Sequence, residues 1–484
     1  MKLKNTLLDH EVKAVEKLEK FKVGALFMEQ GTGKTITALE LCRKKLMKKI
    51  INRIIWLCPC SAKETVKEEL RKQAPKEMLA YIIVCGIETL STSVKANAYL
   101  RKLTETYRCA IIIDESLMIK NYFSKRTENI ITLAEKCKYK LILNGTPISK
   151  DERDLFAQYY ALDWRILGYK SYWSFSNNHI MYYDEVPDKV AKIVNTEYLV
   201  KRVEPYTFQI TKKECFDLPS KRTITKWFYL TTEQELHYFA VANELFFAIN
   251  EYQPETIYQF LSALQAILSG RRVIIHKEKG RRISYTTEPF FEKFKDNPRW
   301  CRFSEIIDIN EKVVIFCRYT HEIDMLVSTL NEVYGSNSAV RYDGKITNKQ
   351  RKKNRKKFME EAMFFVANPK CAGYSLNLQF CSRIIYYSLD WDLGPRLQSE
   401  DRIYRWGQTK EVEIIDICAV DTLDEQIKNC LERKETLLEW MKTEIRAGKK
   451  AESLAINRNY KKMEGKFPIF DCTDLMEKNN AKKI

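Results

Sequence analysis

Histidine is scarce in this chain of 484 residues: there are five, and the fourteen cysteines include no C-x-x-C pair. That combination excludes the common zinc modules, whose ligands come from closely spaced Cys and His. Cysteines such as Cys85, Cys109, Cys317 and Cys418 stand singly in apolar segments, and the one close pair, Cys58-Pro-Cys60, matches no metal or redox spacing. Buried reduced thiols and a cytoplasmic location are therefore expected. No apolar run approaches a membrane span, and no long apolar stretch follows the lysines of Met1-Lys-Leu-Lys-Asn5, so neither membrane association nor a signal peptide is expected. No solenoid-type repeat is visible. Acidic residues are outnumbered, 64 against 82 basic, for a net charge of +18. The excess favours a polyanionic partner, nucleic acid before an anionic membrane surface. A run such as Arg351-Lys-Lys-Asn-Arg-Lys-Lys357 reads equally as a solvated helix face.

What the sequence does have is size and alternation. At 45% apolar and 30% charged residues, the chain can bury large cores and is too long for one ordinary domain. Short apolar runs (Ile54–Cys58, Tyr81–Cys85, Ala110–Ile113, Lys140–Leu143) alternate with longer charged stretches of helical period such as Ala62–Gln73. The pattern returns in Lys312–Phe316, Met363–Val366, Arg383–Tyr387 and Val412–Ile417. Alternation of this kind predicts βαβ units, parallel sheets covered by helices, and an α/β fold in two lobes, residues 1–150 and 303–444. Between them, residues 151–302 are aromatic-rich (Tyr159, Tyr160, Trp164, Trp173), carry a periodic stretch from Gln234 to Leu268, and are broken by Pro205, Pro219 and Pro254. A mostly helical connector is expected there, with a loop or hairpin near residues 280–289, and a basic tail over 445–484.

The stretch Ala25-Leu-Phe-Met-Glu-Gln-Gly-Thr-Gly-Lys-Thr-Ile36 reads as a strand, a glycine turn and a helix beginning near Lys34. Gly31 and Gly33, flanking Thr32, let the backbone approach an anion; the helix start offers N–H groups; Lys34 adds a point charge; Thr35 can hold Mg²⁺. A triphosphate is the expected ligand, although Met28 stands where the full Walker pattern has glycine and another glycine-rich turn would fit the same residues. Ile111-Ile-Ile-Asp114-Glu115 is a strand ending in two carboxylates, Asp114 for Mg²⁺ through water and Glu115 to orient and deprotonate an attacking water. Neighbours on a strand face opposite ways, so this pair works only if the chain turns there. Leu141-Ile-Leu-Asn-Gly-Thr-Pro147 puts Thr146 near the tip of another buried strand. In Gln398-Ser-Glu-Asp-Arg-Ile-Tyr-Arg-Trp-Gly-Gln408, Arg402 and Arg405 are expected on one helical face that stops at Gly407. An arginine delivered across a cleft can neutralise γ-phosphate charge, while a salt-bridged helix surface is the plainer alternative.

In this order the motifs resemble the Swi/Snf-like branch of superfamily-two helicases and translocases. Glu29–Thr35 is similar to the family's first motif, Trp56-Leu-Cys-Pro59 to the next, Asp114–Asn121 to its extended DEAH box and Leu143–Pro147 to its third. Tyr206–Lys213, Leu218–Lys221 and Leu230–Gln234 resemble the branch's characteristic stretch, and Val313–Phe316, Tyr342-Asp-Gly344, Gly373–Leu378 and Trp391 with Gln398–Gln408 complete the set. Leu117 stands where the box has histidine, Glu11 where the adenine-reading motif has glutamine, and Ser375 where glycine is common.

The resemblance implies two RecA-like lobes with a helical insertion, and ATP with Mg²⁺ in a cleft. Lys34, Thr35, Asp114 and Glu115 would line one wall, and Arg402 and Arg405, with Gln398, the other. It adds Glu11 and Gly373 to the nucleotide-binding set, and Thr89, Ser91, Thr146, Asn377 and Trp391 to nucleic-acid contact or coupling. The implied activity is a DNA-stimulated ATPase that tracks duplex or branched DNA without sequence preference, as a monomer, with any protein partner docking on residues 151–302. A strand-separating DNA or RNA helicase, and a nucleotide-gated DNA clamp that scarcely turns over, are the rival readings. The chain is also similar to compact stand-alone members found in bacteriophages and bacteria.

Overall fold

The computed structural model describes residues 1–148, 151–183, 186–246, 248–249, 253–277, 283–372, 376–433, 437 and 440–441. They form two compact units: Met1–Leu218 with Arg405–Gly407, and Pro219–Tyr404 with the chain from Gln408.

In the first unit the strands are β1 (Val23–Met28), β2 (Arg53–Cys58), β3 (Ile82–Gly86), β4 (Cys109–Asp114) and β5 (Tyr139–Asn144), then a hairpin of β6 (Ile180–Tyr183) and β7 (Val186–Ile193), and finally β8 (Thr207–Ile210). The sheet order is β3-β2-β4-β5-β1-β8, parallel throughout. Its strands read as unbroken apolar runs because both faces are buried. Ala25, Phe27, Ile55, Leu57, Ile111, Ile113 and Ile142 enter one core, while Leu26, Met28, Ile54, Trp56, Ala110, Ile112, Leu141 and Leu143 enter the other. Each fully buried Ile or Leu contributes about 1.5–3 kcal/mol. Because β4 pairs with β5 and β5 with β1, the loops that follow these strands leave the sheet side by side at its carboxyl edge.

The second unit contains β9 (Lys221–Phe228), the hairpin of β10 (Arg271–Lys277) and β11 (Ile283–Pro289), then β12 (Val313–Phe316), β13 (Ala339–Tyr342), β14 (Phe364–Ala367), β15 (Arg383–Tyr386) and β16 (Val412–Ala419). Its six-stranded sheet, also parallel, runs β13-β14-β12-β15-β16-β9.

All eight apolar runs predicted as strands are strands. The stretch expected as a mostly helical connector is shared between the units and adds a strand to each sheet, β8 beside β1 and β9 beside β16. Within it, the periodic segment is two helices, Thr232–Phe246 and Pro254–Leu268. Arg299 locks this part to the second sheet. Its buried guanidinium donates to Leu268 O (3.1 Å), Tyr387 O (2.6 Å), Ile417 O (2.9 Å) and Asp424 Oδ2 (2.5 Å). The 445–484 tail lies outside the described residues. Every described cysteine is a free thiol, and among the described residues no helix is long and apolar enough to cross a membrane.

Candidate active site

β1 delivers the chain into Glu29-Gln-Gly-Thr-Gly33, where Gly31 (φ +86°) and Gly33 (φ +88°) take the left-handed conformation that glycine alone adopts at little expense. The helix Lys34–Met47 then starts behind Gly33 without a side-chain cap. An uncapped N-terminus presents N–H groups and the positive end of the helix dipole to an anion. Met28, found where the Walker pattern has glycine, is the last strand residue and is wholly buried, so it serves the core and leaves the turn to Gly31 and Gly33.

The loop is braced from several sides. Thr32 Oγ1 donates to Glu29 O (2.7 Å), His10 Nε2 lies 2.9 Å from Thr32 O, and Lys34 Nζ donates to Met28 O (2.7 Å). Glu29 bonds the β8 end, its N–H donating to Ile210 O (3.0 Å) and its carboxylate accepting from Lys212 N (2.8 Å). Glu11 accepts from Leu8 N (2.8 Å) and packs on the loop so closely that a Cβ on Gly33 would stand 1.7 Å from its Oε1. Burial raises the Glu11 pKa against that hydrogen bond and nearby His10. Thr35 is half-buried on the first turn of the helix.

The turn required between the two carboxylates is present. β4 ends at Asp114, and Glu115 sits in the left-handed region (φ 57°, ψ 56°), uncommon and strained for a residue with a side chain. Asp114 Oδ2 accepts from the Trp56 indole (3.3 Å) and Oδ1 from Glu115 N (3.1 Å). Desolvation, then the Glu115 carboxylate, push Asp114 up to about 7 against the pull of Lys34 and Trp56. Two adjacent carboxylates opposed by one ammonium leave this corner short of positive charge, a donor set that fits a divalent cation brought by a phosphate ligand. Among the described residues no group of three or more His, Cys, Asp or Glu could hold a metal by itself.

Around this corner, Thr146 is exposed in the loop after β5, where Asn144 Oδ1 caps Gly145 N (2.7 Å). Thr89 and Ser91, half-buried, lie on the short helix Thr89–Thr92 after β3, with Thr89 Oγ1 3.4 Å from Cys60 Sγ. Two supports escaped sequence reasoning: Trp56 as the donor to Asp114, and the Lys212 backbone as the donor to Glu29. Their partners are 58 and 183 residues away in the chain, beyond any local pattern.

In the second unit Gln398 is half-buried on the helix Leu393–Glu400. The expectation of Arg402 and Arg405 on one helical face is corrected: the helix stops at Glu400 and the chain runs through turns to Gly407 (φ +92°). Past Glu400 the N–H groups turn to i−3 carbonyls, Arg402 N to Ser399 O (3.2 Å) and Ile403 N to Glu400 O (3.1 Å), and farther on Arg402 O is taken by Leu378 N (3.0 Å) and Ile403 O by the Gln408 amide (3.4 Å). Trp391 is half-buried and stacked: the Arg318 guanidinium lies 3.5 Å from its ring centroid and the Tyr258 ring 6.1 Å away. Arg318 is held there by Asp390 (2.8 Å). Asn377 is exposed, whereas Gly373 and Ser375 lie outside the described residues.

An SNF2-related domain matches residues 65–279, and a helicase conserved C-terminal domain matches residues 300–407. The chain belongs to the SNF2-related helicase family. An uncharacterized ATP-dependent helicase of Mycoplasma genitalium is 25% identical over 68% of this chain and 30% of its own length. The transcription regulatory protein SNF2 of Saccharomyces cerevisiae is 24% identical over 92% of this chain and 28% of its own. The chain thus spans about a third of such relatives, while it covers 79% of the uncharacterized ATP-dependent helicase YqhH of Bacillus subtilis, at 23% identity over 90% of this chain. The Sulfolobus solfataricus SWI2/SNF2 ATPase core in complex with dsDNA aligns over 92% of this chain and 94% of its own, with 23% identity and a TM-score of 0.41.

Proposed function

We propose that this SNF2-family chain is a DNA-stimulated ATPase that translocates on duplex or branched DNA and remodels DNA or protein–DNA complexes. The observation that carries the reading is the carboxyl edge of the first sheet, where an uncapped helix N-terminus with Lys34 follows β1 and the Asp114–Glu115 corner with its left-handed turn follows β4, the two strands that flank β5. That arrangement suits phosphoryl transfer to water, in which positioning and charge neutralisation supply nearly all of the catalysis.

In this reading the amides of Gly31–Lys34 and the Lys34 ammonium hold the β- and γ-phosphates. Thr35 and Asp114 would hold Mg²⁺, which supplies Lewis-acid charge to the phosphates. Glu115 orients the attacking water and accepts its proton, and Arg402 and Arg405 neutralise the charge that develops on the leaving phosphates. The family's ATP-dependent helicase relatives and the net charge of +18 support a nucleic-acid partner held at its phosphates.

Hydrolysis by the wild type and by Glu115→Gln, each with and without duplex DNA, tests the proposal. The wild type with DNA should turn over fastest, with Glu115→Gln at least about 100-fold slower; equal rates in all four samples would refute it.

A further inference from the structure

Leu117 occupies the position at which a DEAH-type box has its histidine, and an apolar side chain cannot hydrogen-bond the neighbouring loop. Another residue makes that connection. Gln158, on the helix Arg153–Asp163, is wholly buried, where a polar group is costly unless bonded. Its amide is fully used. Ser116 Oγ donates to Oε1 (2.6 Å), and Nε2 donates to Pro147 O (2.9 Å) and to Asp154 O (2.7 Å). Both backbone partners can only accept, so the amide orientation is fixed, and the Ser116 hydroxyl, itself wholly buried, must be the donor.

The two ends of this bridge are informative. Ser116 follows Glu115 directly, and Pro147 closes the Gly145-Thr-Pro turn that carries Thr146. These loops leave β4 and β5, whose ladder runs from Ala110↔Tyr139 to Asp114↔Leu143. Past the last strand pair, the Gln158 amide holds the loops together. Glu115 is in a strained backbone conformation that persists only where its surroundings over-determine it, and its C-terminal neighbour is the residue that Gln158 pins.

We infer that Gln158 is a positioning residue: through Ser116 it holds Glu115 in its left-handed turn, and through Pro147 it makes that turn move with the Thr146 loop. This rests on the proposed role of Glu115 as the group that orients water. The link acts on the rate of the chemical step and leaves nucleotide binding, built from β1 and the helix after it, untouched.

The test uses the full chain with Gln158→Leu, which keeps bulk and removes both polar functions, Ser116→Ala, which removes one hydroxyl, and the double variant. For each, affinity for a non-hydrolysable ATP analogue, kcat with and without duplex DNA, and Tm are measured. Gln158→Leu should lower kcat at least about 10-fold with affinity within about twofold, and Ser116→Ala should lower kcat in the same direction. The double variant should be no slower than Gln158→Leu, because the two residues act as one unit. Wild-type kcat in Ser116→Ala, or effects of the two substitutions that multiply, would overturn the inference, as would a fall in affinity and kcat that follows Tm alone. A wild type indifferent to DNA would instead contradict the translocase reading, and the comparison of kcat values would still decide the role of Gln158.

Discussion

Both sheets send a strand into a helix, and the two helix starts are opposites. In the first unit β1 leads to a glycine turn, and the helix Lys34–Met47 has no side-chain cap. In the second, β12 leads to Cys317-Arg318-Tyr319, and the helix Thr320–Tyr334 is closed by its own Glu322, whose buried carboxylate accepts from Tyr319 N (3.1 Å) and from the Ser388 hydroxyl. Burial pushes Glu322 up to about 7, against the pull of Arg299 and of its bonds from Ser388 and Tyr319. The same architecture therefore leaves one N-terminus for an outside anion and fills the other with an internal carboxyl group. What differs is a pair of glycines and a glutamate rather than the fold.

Removing the cation behind the closed end should have the largest effect. Arg299→Met leaves Asp424 buried without its counter-charge and takes the guanidinium donor from the carbonyls of Leu268, Tyr387 and Ile417, so denaturation should show a loss of about 3–5 kcal/mol. A loss under about 1 kcal/mol would mean that the closed end needs no such support. At the open end, Gly33→Ala combines a left-handed backbone with a Cβ that displaces Glu11. ATP affinity measured by titration should fall at least about 10-fold, with about 1–2 kcal/mol of stability lost. Unchanged affinity would show that the turn does not hold phosphate.

Glu322→Gln, a smaller change, should lose about 1–2 kcal/mol of stability through a weaker cap while ATP affinity stays within about twofold; a changed affinity would show that the closed end also serves nucleotide. The last effect concerns pH. His321, 3.0 Å from Ser269 Oγ, is lowered to about 4 by burial and then by Arg271. A histidine with a depressed folded pKa contributes stability that is complete above its unfolded value near 6.5 and is lost as pH falls through about 4. Denaturation of the wild type against His321→Gln should show the wild type losing about 1.4 kcal/mol more per pH unit between those values. Parallel curves would place His321 in water.

The sequence exposed the first unit's chemistry because its signals are local. Continuous β-branched runs predict two-sided burial, glycines at Gly31 and Gly33 mark a turn, and the Asp114–Glu115 pair carries its own requirement for a bend, which φ 57° at Glu115 meets. Hidden features depend on distant partners. β8 and β9 are short or polar strands whose identity comes from the sheet edge they join. Arg299 looks like a surface residue of an amphipathic helix until its four acceptors are assembled. The helix expected through Arg402 and Arg405 fails for the same reason: the competing donors come from Leu378, 24 residues earlier in the chain, and from the Gln408 side chain. Gln158, an unremarkable letter in an aromatic-rich helix, acquires meaning only from the two loops it joins.

The central claim is that the open N-terminus of the first unit is the nucleotide site. Titrating MgATP into the wild type and Lys34→Ala tests it most directly: the wild type should bind, and Lys34→Ala, at unchanged Tm, should bind at least about 10-fold more weakly. Equal affinities in the two proteins would contradict it.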